Sequence, residues 1–147
     1  MPVLDKSSAS YPSDSRWSVL QGQHEQRPII IRRNDSAKQL RGHSQYIYRV
    51  GVAVPLLAPN EHGLPSNDEM ELLGYIEDAL SEQLGRNQAS LQVLAITTNG
   101  MREFVFYTRD PAIVDGALRN VRSRFPSHEL QSYIAEDRCW ELYRQFA

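Results

Sequence analysis

The sequence lacks the residues and segments that would place it in several familiar classes of protein. It has one cysteine, Cys139, so no disulfide can form within the chain, which is typical of a reducing compartment. No stretch approaches the roughly 20 apolar residues of a membrane-spanning helix. Residues 1–16 also lack the apolar run of a secretion signal. We therefore expect a cytoplasmic protein without a membrane segment.

An excess of charge of one sign is also missing. The chain carries 16 Lys and Arg residues against 18 Asp and Glu residues, which leaves a formal net charge of −2. Such a balance exerts no long-range attraction on nucleic acid or on an anionic membrane. The sequence therefore predicts neither of them as a partner.

Motifs that bind metals, phosphates or dinucleotides are absent. Neither HExxH nor CxxC occurs, and no glycine-rich phosphate-binding loop is present. The four histidines lie in predicted loops or at a strand start, without paired spacing: His24, His43, His62 and His128. The sequence implies no cofactor, no metal and no small-molecule ligand.

What remains is the composition of one globular domain. Of the 147 residues, 41% are hydrophobic and 23% are charged, which suits a single domain with a single core. Residues 7–15 are serine-rich and cannot bury enough apolar surface to offset the entropy lost on ordering. We predict a disordered tail over 1–15 and a single domain over 16–147.

Periodicity and turn signals predict a hairpin, then the order strand–helix–strand–strand–helix–strand, then a terminal helix. The predicted strands cover 16–21, 28–33, 46–54, 91–98, 101–109 and 128–135, and the two long helices cover 66–84 and 111–125. The inner six elements match the split βαβ arrangement of ferredoxin-like folds, with both helices on one face of an antiparallel sheet. The predicted fold class is α+β.

The first long helix has clear boundary signals. Ser66 followed by Glu69 forms the pattern of a capping box, and Gly85 stands where a C-terminal cap is expected. Five apolar residues at helical spacing predict its buried side: Met70, Leu73, Ile76, Leu80 and Leu84.

Asn99-Gly100 predicts a two-residue hairpin turn, which pairs Thr98 with Met101 and fixes the register of both strands. One face then carries Leu91, Val93, Ala95, Phe104 and Phe106, and we assign it to the helix-covered core. A bulge at Gly100 would reverse the assignment.

The other face carries Leu94, Ile96, Val105 and Tyr107, interrupted by Gln92 and Glu103. It is too apolar for free solvent. We expect the terminal helix with Trp140, the N-terminal hairpin or a partner subunit to cover part of it.

Two kinds of chemistry have weak support. The stretch Phe104 to Tyr107 matches only the apolar end of an RNA-recognition motif, which any buried strand would also supply. The carboxylates Glu77, Asp78, Glu103, Glu136 and Asp137 could serve as acid and base if they converged. The plainer interpretation is a solvated helix face and, at Asp137, a helix cap.

Three residues give a binding hypothesis. Arg49, Glu103 and Tyr107 fall on the less apolar sheet face in the predicted register. A charged pair beside an aromatic side chain suits a binding surface or a dimer contact. The alternative is an ordinary cross-strand ion pair.

Several stretches resemble a bacterial family, the domain of unknown function six-nine-five. The resemblance runs from Trp17 onward, and its most specific stretches are Arg102 to Thr108 (REFVFYT) and Glu136 to Tyr143 (ED-x-x-W-x-x-Y). Domains of this family can be joined to a module resembling the RraB-type inhibitor of ribonuclease E, which acts by protein contact. The resemblance implies a regulatory role but no catalytic residue.

The sequence thus predicts a non-catalytic bacterial module, not an enzyme, that binds a protein partner or associates with itself. The regulation of RNA metabolism is the role that the resemblance suggests. The alternatives are a carboxylate-dependent hydrolase or nuclease and a direct RNA-binding domain.

Overall fold

Six strands form one antiparallel sheet in the computed structural model, which describes residues 10–146. The strands are β1 Trp17–His24, β2 Arg27–Asn34, β3 Tyr48–Pro55, β4 Ser90–Thr98, β5 Met101–Thr108 and β6 Gln131–Glu136. Their order in the sheet is β1-β2-β4-β5-β3-β6, so β1 and β6 form the two edges. The predicted α+β class is confirmed.

Three α-helices accompany the sheet within the described residues: α1 Asn67–Leu84, α2 Val114–Arg124 and α3 Glu141–Gln145. A 3-10 helix, Asp35–Leu40, lies in the segment that the sequence predicts as an irregular loop. Asn34 caps it, because its side-chain oxygen accepts from the N–H of Ser36 at 3.1 Å.

The β4–β5 turn is the one that the sequence predicts. Asn99 and Gly100 have φ of 50° and 78°, the left-handed values that a tight two-residue hairpin requires, and Thr98 pairs with Met101. From this turn as far as Leu94 the register follows the prediction. Ala95, Phe104 and Phe106 accordingly lie on the helix-covered face, in the core formed with α1 and α2.

The predicted assignment of Leu91 and Val93 to that core is wrong. The β4–β5 register shifts between Gln92 and Leu94. This bulge moves Leu91 and Val93 into the cluster on the face opposite α1 and α2, which we call the second face. Gln92 turns toward α1 instead, where its amide accepts from Ser81 at 3.0 Å and donates to Glu77 at 2.7 Å. The bulge thus lies at the start of β4 and not at Gly100.

Part of the second face is covered by two segments of the chain itself. Trp140 and Tyr143, from the terminal segment, pack with Ala37 and Leu40 of the 3-10 helix over Tyr107. The terminal helix therefore covers this face as expected, together with a segment for which the sequence predicts only a loop.

At the N-terminus of α1, only one of the two hydrogen bonds of the predicted capping box forms. Ser66 Oγ accepts from the N–H of Glu69 at 3.2 Å, as in a capping box. The carboxylate of Glu69 does not turn back to Ser66. It accepts from the N–H of Leu57 at 2.7 Å and contacts His128 Nε2 at 2.7 Å. The buried Glu69–His128 pair therefore ties the loop after β3 to the segment before β6.

Gly85 is the C-cap of α1, as the sequence predicts, although its φ of −84° is a right-handed value and not the left-handed one. The prediction of a buried Met70 is wrong: Met70 is 48% exposed, because it lies at the edge of the buried stripe and not in it.

The predicted tail over 1–15 is described only from residue 10 onward. There Tyr11 packs against the cluster on the second face and its hydroxyl donates to the carbonyl of Ser90 at 2.8 Å. Residues 1–9 lie outside the described residues. The disordered tail and the single domain over 16–147 stay predictions.

Replacing Glu69 by glutamine tests the buried pair. We expect the free energy of unfolding to fall by about 1–3 kcal/mol, because an amide loses the charge that strengthens its bonds to His128 and to backbone N–H groups. Urea denaturation followed by circular dichroism measures the change. Glu71→Gln is the matched control, since Glu71 is exposed and its side chain accepts from the hydroxyl of Tyr75. Equal stability of the two variants would contradict a stabilising role for the Glu69–His128 pair.

Candidate functional site

Arg49, Glu103 and Tyr107 lie on the second face, as the sequence predicts. Arg49 on β3 is directly opposite Tyr107 on β5, and Glu103 lies four residues before Tyr107, opposite Ala53. The structure nevertheless separates the three residues into two environments. Arg49 and Tyr107 belong to a closed cluster, and Glu103 lies in a partly exposed surface.

Asp137 organises the closed cluster. Its Oδ2 accepts from Tyr107 OH at 2.7 Å and from Arg49 NH1 at 2.8 Å. Its carboxylate also accepts from the backbone N–H groups of Glu141 at 2.8 Å and Leu142 at 3.4 Å, in the first turn of α3. Asp137 is therefore the helix cap that the sequence predicts and, in addition, the anchor that holds α3 to the sheet.

Aromatic stacking completes this anchor. The rings of Trp140 and Tyr107 are nearly parallel, with centroids 4.1 Å apart and an interplanar angle of 6°. Trp140 Nε1 donates to the carbonyl of Tyr46 at 2.7 Å, and Tyr143 OH donates to that of Asn34 at 2.8 Å. We call Arg49, Tyr107, Asp137, Trp140 and Tyr143 the C-terminal lock. The stretch ED-x-x-W-x-x-Y supplies three of its members.

The protonation of the lock follows from its contacts. Burial alone raises the pKa of Asp137, but the N–H groups of Glu141 and Leu142, Tyr107 and Arg49 outweigh it and leave the pKa below its ordinary value. Burial, reinforced by the hydrogen bond to Asp137, raises the pKa of Tyr107. Asp137 is thus ionised and Tyr107 protonated at neutral pH.

Glu103 is outside the lock. Its Oε2 accepts from Tyr133 OH at 3.1 Å, and among the described residues no ion pair joins it to Arg49. Burial raises the pKa of Glu103, while the Tyr133 hydroxyl and the charge of Arg49 lower it only in part. Of the two sequence interpretations, the cross-strand Arg49–Glu103 ion pair does not form, because Arg49 pairs with Asp137.

Tyr133 reaches Glu103 because Gly51 lies between them. Gly51 on β3 is opposite Tyr133 on β6, and a Cβ at Gly51 would lie 2.1 Å from the tyrosine ring. The ring therefore lies across the glycine, with the Arg49 guanidinium 5.6 Å from its centroid. Sequence reasoning missed both residues. A glycine inside a predicted strand is the signal that marks such a close approach.

Apolar side chains share the second face with Glu103 in the part that the lock leaves partly exposed. We call this area the Glu103 surface. It consists of Leu20, Ile29, Ile96, Met101, Glu103 and Tyr133. All six are at least partly exposed, and Tyr133 is 38% exposed.

The other candidate carboxylates do not converge with Glu103. Glu77 lies on the helix-covered face, bound to Gln92 and Arg32. Asp78 is exposed on α1. Across residues 10–146, no group of three His, Cys, Asp or Glu side chains could hold a metal ion.

The RNA-binding alternative requires exposed aromatic side chains. Phe104 and Phe106, the aromatics of the RNA-like stretch, are buried under the helices and cannot stack on bases.

None of the helices in the described part of the chain is both long enough and apolar enough to span a membrane.

Replacing Asp137 by asparagine tests the lock. At neutral pH we expect a loss of about 2–4 kcal/mol, because Arg49 and Tyr107 lose their charged acceptor in a buried site. A carboxylate with a lowered pKa stabilises the fold above its unfolded pKa of about 3.9 and stops doing so as pH falls through the folded value. The stability gap between wild type and variant should therefore narrow from pH 4 toward pH 2.

Urea denaturation at a series of pH values measures this gap. Asp115→Asn on α2 is the matched control, since Asp115 is exposed. A gap that stays constant as the pH is lowered would show that the charge of Asp137 does not hold the lock.

The comparisons with known proteins give one result. Neither the search of curated proteins nor that of solved structures finds a match. A model described as "Family of unknown function (DUF695)" matches residues 15–147, a range that includes the lock and the Glu103 surface. The resemblance found in the sequence is confirmed, and the chain belongs to the DUF695 family.

Proposed function

We propose that the chain is a non-catalytic bacterial protein of the cytoplasm that binds a protein partner through the Glu103 surface. The observation that carries this proposal is the half-buried carboxylate of Glu103 within a partly exposed apolar sheet face. Uncovered apolar area of this kind, next to a polar group, is typical of contact sites.

The electrostatics of Glu103 indicate what the partner presents. Desolvation disfavours its charged form, and the Tyr133 hydroxyl compensates only in part. A lysine or arginine of a partner would supply the missing charge, while apolar neighbours cover Ile29, Ile96 and Met101. The partner surface that fits best therefore has one basic side chain surrounded by apolar ones.

The strand order supports a ferredoxin-like topology for the core of the sheet. Without the hairpin the order is β4-β5-β3-β6, with α1 connecting β3 to β4 and α2 connecting β5 to β6. We infer a ferredoxin-like core from this order and from the antiparallel pairing of every neighbouring pair. The hairpin β1–β2 extends the sheet beyond β4.

A regulatory role is consistent with this surface. The joining of related domains to a ribonuclease inhibitor module suggests that the protein contact regulates RNA metabolism. The enzyme alternative loses support, because Glu77 lies on the helix-covered face, while Glu103 and Asp137 on the second face bind different partners, Tyr133 and the lock. The RNA-binding alternative loses support because the motif aromatics are buried.

Reversing the charge of Glu103 tests the proposal. We expect Glu103→Lys to fold and to retain less than about a tenth of the partner that wild type retains, because a basic side chain of the partner would meet a like charge. The measurement is quantitative pull-down from the native bacterium, with sedimentation to detect self-association.

Asp115→Lys carries the same charge change on the other side of the sheet and serves as the control. Circular dichroism must first show that both variants are folded. Retention of the same partners by wild type, Glu103→Lys and Asp115→Lys would refute the Glu103 surface as the contact site.

A further inference from the structure

Strand β6 forms one edge of the sheet, and its outer side is unpaired. Among residues 10–146, β3 is the only strand with which it pairs. In an antiparallel sheet, every second residue of an edge strand directs its N–H and C=O groups away from the neighbouring strand. Such a row of free backbone groups is a template for one more strand. The chemistry of this edge therefore requires an extended chain as its occupant.

The β6 edge has none of the features that usually prevent strand pairing. Its register with β3 runs from Gln131 to Glu136 without a bulge. The strand contains no proline and no lysine, and its only charged residue is Glu136 at the end. Prolines, lysines and bulges are the usual means by which natural edge strands avoid association. Five consecutive uncharged residues of β6 are thus open to pairing.

The side chains of β6 leave the outer side accessible. Five of its six residues are exposed, and two of these are large and apolar, Tyr133 at 38% and Ile134 at 43%. The ring of Tyr133 lies inward over Gly51, because its hydroxyl donates to Glu103 on β5. Ile134 lies at the margin of the helix-covered face, opposite Val50. A strand added to β6 would cover Ile134.

The other edge of the sheet, β1, is less suited to pairing. Gly22 lies in its interior, and glycine weakens a strand. Contact between β1 of one copy and β6 of another would also be heterologous, so copies would add without closing. Contact of β6 with β6 closes after two copies, because both contribute the same surface.

We propose that two copies of the chain pair through β6 in antiparallel orientation, which gives a dimer with one continuous sheet of twelve strands, six from each copy. The uncharged stretch Gln131 to Ala135 lets the strand meet its own copy without repulsion. It also presents no charge that would select a strand of different composition.

Strand length and charge together select the register. Only a two-fold axis at Tyr133 or at Ile134 pairs five residues of β6 with its copy. An axis at Tyr133 would place Glu129 opposite Asp137, two acids. An axis at Ile134 leaves no like charges directly opposed. Its opposed pairs, each joining the two copies, are Ile134–Ile134, Tyr133–Ala135, Ser132–Glu136, Gln131–Asp137 and Leu130–Arg138.

This pairing leaves the Glu103 surface open. The two-fold axis is perpendicular to the sheet, so both copies present the second face on the same side. The dimer therefore displays two Glu103 surfaces on one side of the continuous sheet. Dimerisation through β6 does not depend on the partner of that surface, and Glu103→Lys should dimerise as wild type does.

Disulfide cross-linking tests the register. In a chain that carries Cys139→Ser, the substitution Ile134→Cys places two thiols across the axis, with Cβ atoms about 4.5–5.5 Å apart. This separation is close to that of a disulfide. Ser132→Cys in the same chain is the matched control, because it lies on the same face but roughly 14 Å from its own copy along the strand. Mild oxidation followed by non-reducing electrophoresis should show a cross-linked dimer for Ile134→Cys and little for Ser132→Cys.

Sedimentation velocity tests the dimer itself. A strand pair is a small interface, so we expect a dimer that forms over a range of about 1–200 μM. Ile134→Lys should raise the dimer dissociation constant at least about tenfold, because two like charges would meet at the axis. Val19→Lys makes the same change at an exposed position of β1 and should dimerise as wild type does. Circular dichroism must show that both variants are folded.

Three results would overturn the proposal. They are a wild-type chain that stays monomeric at about 200 μM, equal dimerisation of Ile134→Lys and Val19→Lys, and equal cross-linking of the two cysteine variants. A monomeric chain that loses a protein partner in Ile134→Lys but not in Val19→Lys would also overturn it. The occupant of the edge would then be a strand of another protein and not a second copy.

Discussion

The buried carboxylate of Asp137 is the constraint on which the second face of the sheet depends. It accepts from Arg49 and Tyr107 on two adjacent strands and from the first N–H groups of α3. With these bonds made, Trp140 adopts a left-handed φ of 55° and stacks on Tyr107. A charged acceptor thus converts a five-residue helix, too short to be stable alone, into a fixed cover for half of the sheet.

The lock also decides where the remaining surface is open. The terminal chain covers the end of the second face near Tyr107 and leaves the end near Glu103 partly exposed. On the other face, α1 and α2 lie over β3, β4 and β5, and the added hairpin extends beyond α1. The Glu103 surface is therefore exposed because the sheet is wider than the elements that cover it.

Local signals predicted the parts of this fold that depend on neighbouring residues. Asn99-Gly100 has the turn residues that its φ values require, so the pairing of Thr98 with Met101 follows from the sequence. The bulge at Gln92 depends on partners distant in sequence, Glu77 and Ser81, and no local pattern contains them. Distance along the chain also limited the prediction of the candidate site. Arg49, Glu103 and Tyr107 share a face as predicted, but Arg49 pairs with Asp137, which lies far along the chain.

Gly51 and Gly74 show that packing explains some glycines inside regular elements and not others. At Gly51 the space of the missing side chain is filled by the ring of Tyr133, so the fold itself explains the residue. At Gly74 the corresponding space contains no described atom, although a glycine in mid-helix lowers stability.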